Sequence, residues 1–114
     1  MRRIDKPWGY EVIWAETEEY VGKIMEINPG HRMSLQYHEK KEETVYVIKG
    51  NLLVWHSEED TDFTMFGPNE VYHVFPNVIY RFGCPEYQDE PTRIIEVSTN
   101  HLSDIVRLKD DYSR

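Results

Sequence analysis

Gln36, His38 and Glu43 fall within eight residues of one another and bring together an amide oxygen, an imidazole and a carboxylate. In a strand, side chains two apart share a face, so Gln36 and His38 project together while Leu35 and Tyr37 project the other way. A charged turn, Glu39 to Glu42, separates them from Glu43, which opens a second strand from Thr44 to Ile48. An antiparallel return of that strand brings Glu43 beside His38. Three donors then converge on one point, the arrangement a divalent metal with open positions requires. The same three residue types also occur in strands as ordinary hydrogen-bonded side chains, so the spacing leaves both readings open.

The remaining titratable residues are less suggestive. His73 alternates with Val71 and Phe75 on a strand face and reads as a packed side chain. His31, His56 and His101 lie in or beside turns and read as surface residues. Cys84 is the single cysteine, which excludes an intrachain disulfide and reads as a bystander thiol. The net charge of −8 disfavours nucleic acid and anionic membrane surfaces as partners. An anionic small molecule needs a local cationic cluster, for which Arg32, Lys40, Lys41 and Arg81 are the candidates.

The elements that position these residues read as strands. Glu11 to Trp14 follows a segment punctuated by Pro7 and Gly9. Tyr20 to Ile27 alternates, with Val21, Lys23, Met25 and Ile27 on one face and Tyr20, Gly22, Ile24 and Glu26 on the other. Asn28-Pro29-Gly30 turns the chain into the Gln36 strand. Lys49-Gly50 reads as a two-residue hairpin turn between Thr44–Ile48 and Asn51–Trp55. Phe63–Phe66 and Val71–Phe75 are further strands, and Thr92–Val97 returns with Ile94 and Glu96 set against Ile95 and Val97. Short strands with turn signals this frequent, and no long amphipathic helix, predict an all-β sandwich or barrel.

At 114 residues the sequence fits a single domain, 1–114, with 39% hydrophobic and 30% charged residues, a soluble globular balance. Basic residues near Met1 are not followed by an apolar run, so no secretory signal is read and a cytoplasmic location is expected.

Gly30, Gln36, His38, Glu43 and Gly50 fall on the first signature of the cupin family, with Gln at its first His position. Ser34-Leu35-Gln36-Tyr37-His38 resembles the Ser-Leu-Gln-x-His of the C-terminal cupin domain of type II mannose-6-phosphate isomerases. Lys6-Pro7-Trp8-Gly9 resembles that domain's opening. Its closing segment is similar to Ser103 through Asp104-Ile105-Val106-Arg107-Leu108 to Asp110-Asp111-Tyr112-Ser113-Arg114. Stand-alone single-domain cupins share the Lys-Pro-Trp-Gly-x-Glu and Gln-Tyr-His-x4-Glu-Thr patterns. Pro76, Arg81 and Phe82 match the second cupin signature, where Asn77 replaces the usual Gly and Tyr80 the usual ligand His. Asn tolerates positive φ better than other side chains, so the turn is expected to survive.

The resemblance implies a small cupin fold, a double-stranded β-helix or jelly-roll barrel with its site in the barrel mouth. It implies a divalent metal (Zn, Mn or Fe) held by Gln36, His38 and Glu43, with Tyr80 in the fourth position. It also implies aldose–ketose isomerisation of a sugar phosphate, with Lys41 and Glu43 catalytic and Arg32, Tyr80 and Arg81 binding ligand. Glu39, Lys40, Lys41 and Thr44 depart from the two extra His, the Arg and the final His of the isomerase motif. A phenol, with a pKa of about 10, is a weak metal ligand at neutral pH. The residues therefore leave two functions open: a metal-dependent sugar-phosphate isomerase, or a non-catalytic cupin that binds a carbohydrate-type ligand or serves as a partner module. A homodimer is expected in either case, because small jelly rolls expose sheet edges.

Overall fold

The computed structural model describes residues 1–112; Ser113 and Arg114, the end of the closing motif, lie outside the described residues. Eleven strands and no helix make up the described chain. The first layer is a six-stranded antiparallel sheet in the order β1 (Arg2–Lys6), β2 (Gly9–Glu16), β3 (Tyr20–Ile27), β10 (Thr92–Thr99), β5 (Glu43–Lys49) and β8 (Val71–Val74). The second layer contains β7 (Phe63–Phe66), β6 (Leu52–Trp55) and β9 (Arg81–Gly83), with the pair β11 (Val106–Lys109) and β4 (Leu35–Tyr37) beside them. Two isolated bridges, Arg32 to Gly83 and Gln36 to Tyr80, join β4 to the β9 side of this layer.

Period-two patterning explains the packing. In β3 the face formed by Val21, Lys23, Met25 and Ile27 is buried, as the alternation predicts. Met25 and Ile27 join Val45, Val47 and Ile94 from their own sheet and Leu52, Val54 and Phe82 from the other in one core. Burying a side chain of this size contributes about 1.5–3 kcal/mol, so the inter-sheet core is the main source of cohesion.

The inward face of the large sheet is not apolar throughout. Toward one end it carries Glu11 on β2, Lys23 on β3, Glu96 on β10 and Glu43 on β5, all buried. Lys23 and Glu96 are register partners. Buried charges survive only when paired, and this ionic row marks where the sandwich stops being a plain core.

Two expectations need correction, and one strand went unread. Lys49-Gly50 is not a hairpin turn: β5 pairs with β10 and β8, and β6 with β7 and β9, so Gly50, at φ 78°, carries the chain from one sheet to the other. For the same reason Glu43 does not return antiparallel to the Gln36 strand; residues 38–42 cross between the layers. The basic N-terminus is a strand, β1, whose weak burial pattern left no apolar signal to read. Asn77 does take positive φ, 67°, and preserves the turn before Tyr80.

Candidate functional site

The site forms where the crossover loop leaves the second sheet for the first. Gln36 on β4 and Tyr80, just before β9, exchange backbone hydrogen bonds, Gln36 N to Tyr80 O at 3.0 Å and Tyr80 N to Gln36 O at 2.9 Å. Their side chains therefore lie side by side on the inner face. Phe82, two residues on, points the same way into the core.

Gln36, His38, Glu43 and Tyr80 are brought together, all of them buried. The point on which the first three converge is the Tyr80 hydroxyl. Gln36 Nε2 donates to it at 3.0 Å, His38 Nε2 lies 2.9 Å from it, and it donates to Glu43 Oε1 at 2.5 Å. The supporting contacts fix each partner's orientation. Ser34 Oγ donates to Gln36 Oε1 at 2.6 Å, which leaves the amide NH2 facing the centre. His38 Nδ1 donates to the backbone carbonyl of Asp104, which turns Nε2 inward.

The Asp104 carboxylate holds the crossover itself. It accepts the backbone N–H groups of Glu39, Lys40 and Lys41 at 3.0, 2.7 and 2.9 Å. Those of Lys40 and Glu39 chiefly hold its pKa down at about 2. The closing segment, whose sequence carries the resemblance, thus ties down the loop that delivers Lys41 and Glu43.

Lys41 and Glu96 complete the cluster. Lys41 Nζ is 3.3 Å from Glu96 Oε2 and 3.9 Å from Glu43 Oε2. Burial would lower the Lys41 pKa, but the carboxyls of Glu96 and Glu43 raise it. Glu43 and Glu96 also hydrogen-bond each other, and two buried carboxyls in contact cannot both ionise. Burial and the Glu43 charge push Glu96 up to about 8. Burial opposes ionisation of Glu43 too, but is outweighed by the Glu96 hydrogen bond, the adjacent His38 ring, the Lys41 charge and the Tyr80 hydrogen bond. Glu43 is thus held well below the ordinary carboxylate range. Burial and the Glu43 charge hold Tyr80 well above its usual value, so it is a neutral phenol.

A cavity of about 120 Å³ opens beside this cluster. Gln36, His38, Lys41, Tyr80 and Glu96 line it, with Trp8, Met25 and Phe82 among its apolar walls. Four cationic residues face it: Lys6, Lys23, Lys41 and Arg107. Lys23 and Lys6 share Glu11, at 3.4 and 3.9 Å. Arg107, exposed on β11 opposite Gln36, makes no ion pair among the described residues. On the wall, the Trp8 indole N–H has no acceptor among the described residues.

Arg32 and Arg81 do not reach this cavity. Arg32 is held by Asp111 at 2.6 Å and Asp60 at 3.0 Å and lies over Trp55. Arg81 points away from Phe82 on its strand and donates from Nη2 to the Lys109 carbonyl at 2.8 Å. Both arginines fasten the closing segment to the outside of the second sheet. Lys40, the other member of the expected cationic cluster, is also absent from the lining. His73 faces outward, between Thr44 and Glu42 at 2.7 Å each.

The metal implied by the resemblance does not fit the residues as they stand. The convergence point is filled by a neutral phenol oxygen, and Gln36 turns a donor toward it. The one ionised carboxylate already faces an ammonium group. Among the described residues, no group of three or more His, Cys, Asp or Glu side chains is arranged to hold a metal ion.

Sequence reasoning missed Glu96, Lys23, Glu11 and Arg107. A signal for the first three was present: each is a charged residue on the inward parity of a strand. Arg107 shows no such pattern, because its place depends on β11 pairing with β4.

Comparison with known proteins agrees with this architecture. Residues 1–110 match the family described as "Mannose-6-phosphate isomerase C-terminal". The chain is 28% identical over 116 residues to the xanthan biosynthesis protein XanB of Xanthomonas campestris, covering 99% of this chain and 24% of that protein's length. A double-stranded β-helix protein from Klebsiella pneumoniae superposes with a TM-score of 0.77 at 15% identity, covering 96% of this chain and 86% of that one. A cupin-like protein from Thermotoga maritima gives 0.74 at 18%, covering 89% and 76%. The double-stranded β-helix fold, the Ser-Leu-Gln-x-His strand and a match over nearly the whole chain place this protein in the mannose-6-phosphate isomerase C-terminal family of cupins.

Proposed function

We propose that the cavity binds a small anionic, polyhydroxylated ligand of the sugar-phosphate class and moves a proton on it without a bound metal. The observation that carries this reading is the gathering of Lys6, Lys23, Lys41 and Arg107 around one cavity in a chain of net charge −8. Four cations face it against two carboxyl groups, Glu11 and Glu96, and Glu96 is largely protonated at neutral pH. An anion entering there meets a local field opposite to that of the whole molecule. Arg107, exposed at the cavity and without an ion pair among the described residues, is suited to a phosphate, which its planar guanidinium grips with two parallel hydrogen bonds.

Aldose–ketose isomerisation fits the same site. A carboxylate takes the proton from C2 and returns it to C1 of the enediol while the hydroxyl proton passes from O2 to O1. One group serves both carbon steps if its pKa lies near the working pH, so that its ionised form is available. Glu96 faces the cavity and has such a pKa, about 8. The Lys41 ammonium beside it stabilises negative charge as it develops on the carbonyl oxygen. The ionised fraction of Glu96 is the base; Glu43, which does not line the cavity, stays ionised and keeps the Glu96 pKa in that range.

Titration calorimetry tests the binding half. Mannose 6-phosphate is expected to bind and mannose to bind far more weakly. Arg107→Ala should weaken the phosphate ester by about tenfold, the loss of one charge-assisted contact of about 1.5 kcal/mol. Equal affinity for the sugar and its phosphate would contradict the anion site. Binding without any proton exchange at C2 would favour the second reading, a binding module.

A further inference from the structure

We propose that the Tyr80 hydroxyl is a built-in replacement for a metal ion, and that Tyr80→His alone converts this position into a divalent-metal site. The inference rests on the convergence of Gln36, His38 and Glu43 and does not depend on what the cavity binds.

The hydroxyl does the mechanical work a metal would do. It ties Glu43, on the six-stranded sheet, to Gln36 on the opposite sheet and to His38 in the crossover. Tyr80 is buried, and the three contacts of its hydroxyl lie at 2.5–3.0 Å, hydrogen-bond lengths around a single oxygen. The hydroxyl carries one proton, which goes to Glu43; toward Gln36 it acts only as acceptor. An ion at the same point would need a lone pair from each neighbour.

One substitution supplies what is missing. Histidine reaches roughly 2 Å less far from the backbone than tyrosine, and that is about the length of a zinc–imidazole bond. With its backbone held by Gln36, a histidine at 80 sets a ring nitrogen about one bond length short of the point the hydroxyl now fills. His38 needs no change, since its Nδ1 donates to the Asp104 carbonyl and Nε2 already faces the centre. Gln36 must turn its amide over. Ser34 permits this, because a hydroxyl that now donates to Gln36 Oε1 can equally accept from Nε2. Glu43 supplies the anionic ligand. The resulting set of two imidazoles, one carboxylate and one amide oxygen suits zinc, manganese or iron(II).

The test is metal content by elemental analysis after incubation with Zn²⁺, Mn²⁺ or Fe²⁺ and dialysis, on the native protein, Tyr80→His and Tyr80→His/His38→Ala. Thermal unfolding with and without metal provides a second readout. The native chain is expected to retain essentially no ion and to show no metal-dependent shift. Tyr80→His should retain close to one ion per chain and unfold at higher temperature with metal, and the double variant should lose both. One ion per native chain that is lost in His38→Ala would overturn the proposal. So would a cooperatively folded Tyr80→His that binds none. Should Tyr80→His fail to fold, Tyr80→Ala decides the matter: metal retention that requires added imidazole supports the proposal, and no retention with imidazole present overturns it.

Discussion

At the residue scale, the site depends on one proton between two carboxyls and one hydroxyl between three partners. Removing the hydroxyl with Tyr80→Phe leaves the buried Glu43 carboxylate short of a donor and the Gln36 amide without an acceptor. The cost is expected to be about 2–4 kcal/mol of folding stability, since a buried group that loses its partner forfeits its full desolvation penalty. Urea unfolding of the variant measures it; an unchanged midpoint would show that the hydroxyl's hydrogen bonds contribute nothing net. Glu96 yields a pH prediction. Its folded-state pKa, about 8, lies above the ordinary 4.5, so between those values the native state binds the extra proton. Its contribution therefore erodes stability as pH rises from about 4.5 to 8. Glu96→Gln, which mimics the protonated acid, should flatten that slope in unfolding titrations across the window, and a slope as steep as that of the native protein would contradict the assignment.

At the element scale, the crossover of residues 38–42 and the closing segment form one unit. Asp104→Ala removes the acceptor of three backbone N–H groups, so amide hydrogen exchange at residues 39–41 should accelerate while the β3 and β10 amides stay protected. The sign of its pH effect is opposite to that of Glu96. The Asp104 pKa is depressed from 3.8 to about 2, so its stabilisation is complete above the former and lost as pH falls through the latter. These elements also show what the sequence made legible. Tyr20–Ile27, whose alternation marks its buried face, and Phe63–Phe66, set off by turn signals, could be read to the residue. The pairing of strands could not, because Gly50 permits a hairpin and a sheet-to-sheet crossing equally well. The Gln36–His38–Glu43–Tyr80 grouping was readable from spacing and resemblance. Its centre was not, since only the backbone pairing of Gln36 with Tyr80 sets the hydroxyl among the other three. The expected arginine anchors failed for a similar reason: Arg32 and Arg81 have the right charge, but strand parity and the acids of the closing segment hold them outside.

At the scale of the whole molecule, the outer face of the large sheet and the cavity make opposite demands. The register aligns Val12, Ile24, Ile95, Tyr46 and Val71 into an apolar row across five strands, all on the outer face. Tyr46 and Val71 are 40% and 53% exposed. A second copy of the chain is the proposed occupant. Two such sheet faces can meet about a two-fold axis without burying a charge along the row, and the Arg93–Glu26 pair beside it offers both signs to a partner. Light scattering should give twice the chain mass for the native protein and a monomer for Val71→Glu/Tyr46→Glu; a monomeric native protein would contradict the assignment. The cavity makes the function claim, and proton exchange tests it most directly. Mannose 6-phosphate incubated with the protein in D2O and excess EDTA is followed by proton NMR. The account predicts loss of the C2 proton signal with appearance of fructose 6-phosphate, abolished in Glu96→Gln although the ligand still binds. Binding with a fully retained C2 proton, or exchange that EDTA stops, would contradict it.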